Sequence, residues 1–282
     1  MLRQQRFAKQ KQLGLVSDTM QLPLYHREFK GKRPAWTDLT PQQQEKWIKD
    51  MATYAAMIEI MDEGIGKVVD AIQQKRMLEN TVFLFLSDNG ATNEGGYLGQ
   101  LMADLSNTPY RSYKQWCFQG GTSTPFILTY GDPNKNSAKG NIYRQPAHII
   151  DLLPTCMDLA NATWPTEWQH ADLPGSSLLP LIKGQTTNPR TLYFEHQSSC
   201  AIIEGTWKLV KADHTQQWEL IDLSKDPFET NDLSSKYPEK VEEMETKWIK
   251  WANSHQVFPL ENKSWQQRIN FYKEKNNDQD GI

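Results

Sequence analysis

Asp88 and Asn89 are the side chains best placed for chemistry, because they follow a wholly apolar segment after a single serine. The five apolar residues 82–86 indicate a strand buried on both faces, as in a parallel sheet covered by helices. In open α/β sheets, ligands bind beyond the carboxyl ends of the strands. One carboxylate and one amide oxygen suit Ca²⁺ or Mg²⁺. Because Asn89-Gly90 is also a common hairpin turn, a turn without a metal stays open.

The composition excludes several classes of protein. A chain of 282 residues with 38% hydrophobic residues and a net charge of −3 is typical of a globular protein and gives no electrostatic reason to bind nucleic acid. No apolar run approaches the roughly 18 residues of a membrane span. The basic start of the sequence has no apolar signal core, so no secretory signal is predicted in the chain as given. Cys117, Cys156 and Cys200 have neither paired nor zinc-like spacing, which disfavours a disulfide framework.

A long helix is predicted before the apolar strand, and a loop is predicted after it. Thr40, Pro41 and Gln43 form a typical helix start, with a capping hydroxyl and a glutamine three residues later. Apolar residues then recur every three or four positions up to Ile72, which predicts a helix of about 36 residues. Residues 91–105 are rich in glycine and lack periodicity, so we expect a loop over the site.

Further elements follow along the chain. Gly120 and Gly121 precede a second apolar strand, residues 126–130, and indicate at least a tight turn. Residues 145–160 are predicted to form a helix. His148 stands at its start, where a histidine is more often a helix-terminal group than a catalytic one.

The carboxy-terminal third has a different pattern. Four short apolar segments separated by polar turns predict an antiparallel sheet, and a helix with one apolar face follows from Pro238. The fold class is therefore α/β, with a small carboxy-terminal α+β subdomain. The predicted organisation is a partial α/β domain over 1–190, a subdomain over 191–262 and a polar tail over 263–282. Residues 1–39 are predicted to begin with a short basic helix and to continue as an irregular amino-terminal strap.

Several short segments, each weak alone, occur in an order that identifies a family. They are Ser87-Asp-Asn-Gly90, Asn107-Thr-Pro-Tyr-Arg-Ser-Tyr-Lys114, Gln119-Gly-Gly-Thr-Ser-Thr-Pro125, His148–Thr155, Pro174–Pro180, Phe194-Glu-His196, Glu204–Val210 and Trp218–Leu233. Together they resemble the sulfatase family of the alkaline phosphatase superfamily, and the last three resemble its arylsulfatase-type carboxy-terminal part. The resemblance implies part of an alkaline-phosphatase-like parallel sheet flanked by helices.

The resemblance also implies roles for four residues. Asp88 and Asn89 match the second pair of Ca²⁺ ligands, with Mg²⁺ as the alternative ion, and Lys114 matches a lysine that contacts the sulfate ester. His196 lies in a region that borders the substrate pocket in related sequences. A divalent cation and a lysine would both stabilise charge that builds on sulfate oxygens in the transition state. From the residues alone, the favoured interpretation of Lys114 is a solvated loop lysine, and His196 could equally be an ordinary hydrogen-bonded histidine.

The sequence departs from the family pattern at three places. It contains no Cys/Ser-x-Pro-x-Arg motif for the formylglycine nucleophile and no early Asp-Asp metal pair, and Gln119 replaces the glutamate that normally precedes the glycine pair. Two ligands cannot fill the six to eight positions usual for Ca²⁺. We therefore expect the carboxy-terminal part of a sulfatase, inactive alone, whose amino-terminal half is missing or carried by a complementary chain.

Three functions remain open. The first is a sulfuric ester hydrolase acting on sulfate esters of carbohydrates or aryl compounds. The second is a phosphoryl-transfer relative, which Lys114 and the glycine pair disfavour. The third is a non-catalytic scaffold that binds a carbohydrate or a protein partner. The family implies a periplasmic or extracellular location, for which this sequence contains no signal peptide.

Overall fold

The computed structural model describes residues 2–24, 36–93, 99–131, 140–166, 173–185 and 189–258, together with residues 260, 267 and 270. The chain divides into two compact units. The first unit comprises residues 1–51, 89–124 and 190–282, and the second comprises residues 52–88 and 125–189. The predicted subdomain 191–262 lies inside the first unit, whereas the predicted tail, 263–282, falls almost wholly outside the described residues.

A four-stranded antiparallel sheet forms the centre of the first unit. Its strands follow chain order: β3 (Thr191–His196), β4 (Ser199–Glu204), β5 (Trp207–Lys211) and β6 (Glu219–Asp222). The register pairs Ile202 with Leu209 and Leu209 with Leu220. This sheet confirms the predicted antiparallel arrangement, whose sequence signal was the apolar segments between polar turns.

Each face of this sheet has its own apolar cluster. Because side chains alternate across a strand, the residues of one face pack against helix α7 (Pro238–Ser254), which buries Met244 and Trp248. The residues of the other face pack against the loop that contains Cys117 and Phe118. The sheet therefore supports a helix on one side and the loop of the candidate site on the other.

Helices α1 and α2 begin the described chain. Helix α1 (Leu2–Gln12) buries Phe7 against Phe228, with ring centroids 6.0 Å apart. Helix α2 (Pro41–Gln74) has the predicted capping box: the amide of Thr40 donates to Gln43 Oε1 at 2.9 Å, and the amide of Gln43 donates to Thr40 Oγ1 at 3.3 Å. These reciprocal bonds satisfy backbone donors that the first turn leaves unpaired.

Strands β1 (Val82–Leu86) and β2 (Phe126–Tyr130) form a sheet in the second unit. They run antiparallel, with Leu84 opposite Leu128, so the parallel pairing expected from the apolar run is not present between them. Within the described residues this sheet has two strands, and Phe85 in β1 is exposed. The apolar run shows that the strand is suited to burial, but it cannot show which strand lies beside it.

The described part of the second unit also contains two short helices. Residues Ile149–Asp151 form a 3₁₀ turn that leads into α5 (Leu152–Leu159), and α6 (Leu179–Ile182) follows. His148 caps the 3₁₀ turn, since its ring accepts from the amide of Ile150 while its own amide donates to Asp151 Oδ2 at 2.7 Å. The structural role predicted for His148 is therefore confirmed.

Residues 91–105 are not a continuous loop, which corrects the prediction for this segment. Helix α3 (Gly99–Ser106) occupies its second half, while residues 94–98 lie outside the described part. Met102 and Ala103 are buried, so tertiary packing stabilises a segment that, apart from Gly99, consists mostly of good helix formers. No helix in the described parts is long and apolar enough to cross a membrane.

Candidate active site

Asn107 joins three loop segments of the first unit. Its Oδ1 accepts from the amide of Ala91 at 2.9 Å, and its Nδ2 donates to the carbonyl oxygens of Ser112 and Gly120 at 2.8 and 2.7 Å. A neutral amide side chain suits this position because it both accepts and donates. The chain after Asn89 is thereby fixed to the segment that contains Lys114 and to the glycine pair.

Three glycines allow these segments to approach backbone to backbone. A Cβ atom at Gly90 would overlap the carbonyl oxygen of Gly120, and one at Gly121 would overlap the carbonyl oxygen of Trp116. The amide of Gly90 donates to the carbonyl of Gly121 at 3.1 Å. Glycine is required here for close packing. Gly120 and Gly121 lie in a single helical turn, α4 (Gln119–Thr122), rather than in a simple turn.

Lys114 and His196 lie on adjoining parts of this arrangement. The amide of Lys114 donates to the carbonyl of Ala91 at 3.1 Å. This bond holds the Lys114 backbone against a residue that lies two positions after Asn89 in the chain. The exposed His196 ends β3, and its Nδ1 lies 3.1 Å from the carbonyl oxygen of Gln115. The first unit therefore brings together the segments that carry Asn89, Lys114 and His196.

Asp88 is the last residue of the segment 52–88, which belongs to the second unit. Its side chain is exposed, whereas Asn89 is half-buried. Within the described ranges, no group of three or more His, Cys, Asp or Glu side chains could hold a metal ion. The two oxygen donors fit Ca²⁺ or Mg²⁺ in kind, but they fill only part of the coordination shell.

Arg111 fastens the lysine-bearing segment to the carboxy-terminal sheet. Its guanidinium donates to both oxygens of Glu219, at 2.7 and 3.0 Å, and lies over the ring of Phe118, 4.0 Å from the centroid. The Arg111 side chain is almost fully buried, and a bidentate pair fixes orientation as well as distance. Lys114, three residues later, thus extends from an anchored segment.

A buried polar ring lies beneath the glycine pair. Lys208 Nζ is 2.8 Å from Glu229 Oε1 and donates to Gln119 Oε1 at 3.1 Å, while the amide of Gln119 donates to Glu229 Oε2 at 2.7 Å. Both charged side chains are fully enclosed. Burial raises the pKa of the Glu229 carboxyl, and the charge of Lys208 opposes that rise.

Lys208 and Glu229 were not predicted as site residues. The signal that could have indicated Lys208 is a lysine inside an otherwise apolar strand, because lysine is almost never fully buried unless it is paired. The segment Trp218–Leu233, which contains Glu229, resembles the sulfatase family, but the resemblance gave no role to Glu229. Gln119 departs from the family pattern, in which a glutamate precedes the glycine pair, and the structure shows the bonds that it makes.

Cys117 has no features of a nucleophile although it lies beside the site. Burial raises the pKa of its thiol to about 12, and its Sγ donates to the carbonyl of Ser199 at 3.2 Å. A cysteine acts as a nucleophile through its thiolate, which this environment suppresses. Cys117 therefore contributes to packing under the loop.

Two family models match this sequence. The model described as Sulfatase matches residues 13–162, which is more than half of the chain. The model described as N-sulphoglucosamine sulphohydrolase, C-terminal, matches residues 111–254. The two matches overlap across the loop that carries Lys114 and the glycine pair.

Similar proteins and structures agree with these matches. An uncharacterized sulfatase of Schizosaccharomyces pombe is 27% identical over 287 residues, covering 88% of this chain and 51% of the relative. The arylsulfatase of Klebsiella aerogenes is 31% identical over 184 residues, covering 55% of this chain and 38% of the relative. The crystal structure of Ps i-CgsB in complex with k-i-k-neocarrahexaose aligns with a TM-score of 0.59 at 27% identity, covering 76% of this chain and 44% of that one. The chain spans about half the length of these relatives, or less.

Proposed function

This chain belongs to the sulfatase family, and from that premise we propose that it carries the carboxy-terminal part of a sulfuric ester hydrolase. The observation that supports the proposal is the loop arrangement of the first unit. There, Asn107 and three glycines hold the segment after Asn89 against the segment of Lys114. Such an arrangement holds the backbone of a lysine beside the backbone that follows an oxygen ligand, and a lysine in that place could stabilise a sulfate ester.

Lys114 is the residue that binds the sulfate group in this proposal. Its backbone is held by the bond to Ala91 and by the anchored Arg111 three residues earlier. A preorganised ammonium group stabilises the charge that builds on the sulfate oxygens without having to reorganise during the reaction. In this proposal His196 borders the substrate pocket, with its ring held at the carbonyl of Gln115.

Asp88 and Asn89 contribute two oxygen ligands to a divalent cation, Ca²⁺ or Mg²⁺, whose remaining ligands come from the rest of the protein. When bound, the cation supplies positive charge beside the sulfate oxygens. The family generally uses a metal ion and a formylglycine nucleophile. This chain contains no Cys/Ser-x-Pro-x-Arg motif, so we propose that the nucleophile also lies outside it and that the chain alone has no sulfatase activity.

A sulfated carbohydrate is the substrate class that we favour, and an aryl sulfate is the alternative. The carbohydrate is supported by the similar structure bound to a neocarrahexaose, and the aryl compound by the similar arylsulfatase. The two alternatives predict different results in the same assay. A phosphoryl-transfer enzyme would release phosphate, and a non-catalytic binding scaffold would release no product.

Complementation tests the proposal. The chain would be produced alone and together with the amino-terminal half of the Klebsiella aerogenes arylsulfatase, which supplies the remaining sequence of a similar protein. Release of sulfate from an aryl sulfate and from a sulfated oligosaccharide would be measured with and without Ca²⁺, along with hydrolysis of an aryl phosphate. We expect sulfate release only from the mixture, and only with the metal.

Two substitutions assign the residues. Lys114→Ala should lower turnover by about a hundredfold or more, and Asp88→Ala should raise the Ca²⁺ concentration that half-restores activity. Lys250→Ala is the matched control, since Lys250 is an exposed lysine on helix α7, and it should change neither. Sulfate release by the chain alone would contradict the proposed division of the site. Phosphate release in place of sulfate release would favour the phosphoryl-transfer alternative, and metal binding without turnover would favour the scaffold.

A further inference from the structure

We infer that Gln119, Lys208 and Glu229 form a positioning unit through which the carboxy-terminal sheet sets the place of Lys114. This inference rests on the proposed function of Lys114 and extends it to residues that do not touch the substrate. None of the three is a catalytic residue, because each acts through the loop that it holds.

The ring closes on itself with one charge of each sign. Lys208 Nζ contacts Glu229 Oε1 at 2.8 Å and Gln119 Oε1 at 3.1 Å, and the amide of Gln119 donates to Glu229 Oε2 at 2.7 Å. A buried ammonium and a buried carboxylate compensate each other here. Gln119 meets both charges, because its side-chain oxygen accepts from Lys208 and its backbone N–H donates to Glu229. A second carboxylate at position 119 would share Lys208 with Glu229, with no second cation among the three residues.

Glu229 reaches this position with an unfavourable backbone conformation. Its φ is 57°, in the left-handed region that favours glycine. Non-glycine residues keep such conformations where the surrounding contacts determine them. The carbonyl of Glu229 also accepts from Arg111 Nη1 at 3.2 Å, so the side chain and the backbone of one residue hold two points of the site loop.

The ring acts on the loop at Gln119 and Arg111. The amide of Gly120, next to Gln119, donates to the carbonyl of Arg111 at 2.6 Å, and the Gly120 backbone leaves no room for a Cβ beside Ser112. Any shift of the glycine turn must therefore move the segment from Arg111 to Lys114. The sheet positions that segment through the buried ring and through the separate pair of Arg111 with Glu219.

Exchange of the acid and the amide tests the ring. Gln119→Glu and Glu229→Gln would be made singly and together, because the double variant restores one carboxylate and one amide beside Lys208. Amide hydrogen exchange would be followed at Gly90, Lys114 and Gly120, which bond between loop segments, and in strands β3 and β4, which carry no member of the ring, as the reference. We expect each single variant to lose about tenfold in protection at the loop amides with little change in the strands. The double variant should recover most of that loss.

The control and the contrary results are equally specific. Glu243→Gln makes the same chemical change on the exposed side of α7 and should leave the loop amides unchanged. If the double variant is no better protected than the worse single variant, or if the loop amides follow the strands in every variant, the positioning unit is refuted. Should Glu229→Gln fail to fold, the comparison of Gln119→Glu with the double variant still decides.

Turnover in the complemented enzyme separates this inference from the proposed function. Glu229→Gln should lower kcat about tenfold when Lys114 is present, but less than about twofold in a Lys114→Ala background, because residues that act through one another are not additive. Equal losses in both backgrounds would contradict action through Lys114. If Lys114→Ala alone keeps full turnover, the role of the lysine fails, whereas the exchange measurements still judge the ring.

Discussion

Close contact between backbones distinguishes the glycines of this site from the glycines of helix α2. Gly90 and the pair at 120–121 lie where a side chain would overlap a neighbouring carbonyl oxygen. In helix α2, by contrast, Gly64 and Gly66 face open space. The same residue type therefore has a packing role in the loops and carries only its entropic cost in the helix.

Gly90→Ala should destabilise the chain, because the added methyl group must displace the backbone of Gly120 or Gly121. We expect a loss of about 1–3 kcal/mol, as for overpacking in general, measured by urea unfolding. Gly64→Ala is the matched control, and it should be neutral or gain up to about 1 kcal/mol, since alanine is the better helix former. A Gly90→Ala chain as stable as the original would show that the loops separate without cost.

The contribution of individual residues could be predicted from sequence only where the signal is local. The capping roles at Thr40 and His148 depend on residues two or three positions away, and both were predicted correctly in kind. The buried ring could not be predicted in this way, because Gln119 and Glu229 are 110 positions apart and meet only in the folded chain. The roles of Asp88, Asn89, Lys114 and His196 stay predictions.

The helices and strands, like the single residues, could be predicted where the sequence signal is local and were missed where it depends on distant contacts. Strands β3–β6 were predicted from short apolar segments between polar turns, and helix α7 from helical periodicity. Both faces of the sheet pack against apolar clusters, and α7 covers one of them. Helix α3 was missed because its glycine-rich surroundings hide its periodicity and its stability comes from tertiary packing. The orientation of β1 against β2 was missed because pairing is a property of two segments, and neither segment encodes its direction.

Glu204 ties the end of β4 to helix α7, and this tie should make stability depend on pH. Both of its oxygens accept from Lys247 Nζ, at 2.7 and 2.9 Å, and that hydrogen bond is the main reason why the pKa of Glu204 is below its usual value of 4.5. A lowered carboxyl pKa stabilises the folded state above the unfolded pKa, and this stabilisation is lost as the pH falls through the folded value. The relevant window therefore lies below about pH 4.5.

Glu204→Gln should accordingly be less stable than the original chain at pH 7, by less than about 1 kcal/mol because solvent screens the pair. The difference should shrink as the pH falls from 5 to 3. Urea unfolding at several pH values measures this difference in stability. Glu242→Gln, at an exposed position of helix α7, is the control. A difference that does not vary with pH would show that Glu204 acts through packing and not through its charge.

Helix α2 presents an apolar surface to solvent. Residues 52–68 of this helix are all exposed, among them Met57 at 63% and Ile60 at 67%. Large contiguous apolar surfaces are rare on monomeric soluble proteins and usually mark an interface. Since the chain spans about half of its relatives or less, the remaining part of the protein is the partner that we expect to cover this helix.

Replacing the two most exposed side chains tests that expectation. Met57→Gln with Ile60→Gln removes apolar surface without adding charge, so it should reduce self-association of the isolated chain in sedimentation measurements. Folded stability should change by no more than about 0.5 kcal/mol, because exposed positions contribute little to it. Glu59→Gln with Glu63→Gln introduces the same residue at two exposed polar positions of the same helix and should not reduce association.

The same pair of variants distinguishes a true interface from a merely adhesive surface. If the rest of a sulfatase covers α2, the Met57/Ile60 variant should complement the amino-terminal half less well, and a higher concentration of that half should restore sulfate release. If α2 stays exposed in the assembled enzyme, the variant should associate less with itself and yet complement as well as the original chain. The second result would separate the apolar helix from the assembly of the active site, because the loops of the first unit would then form that site without it.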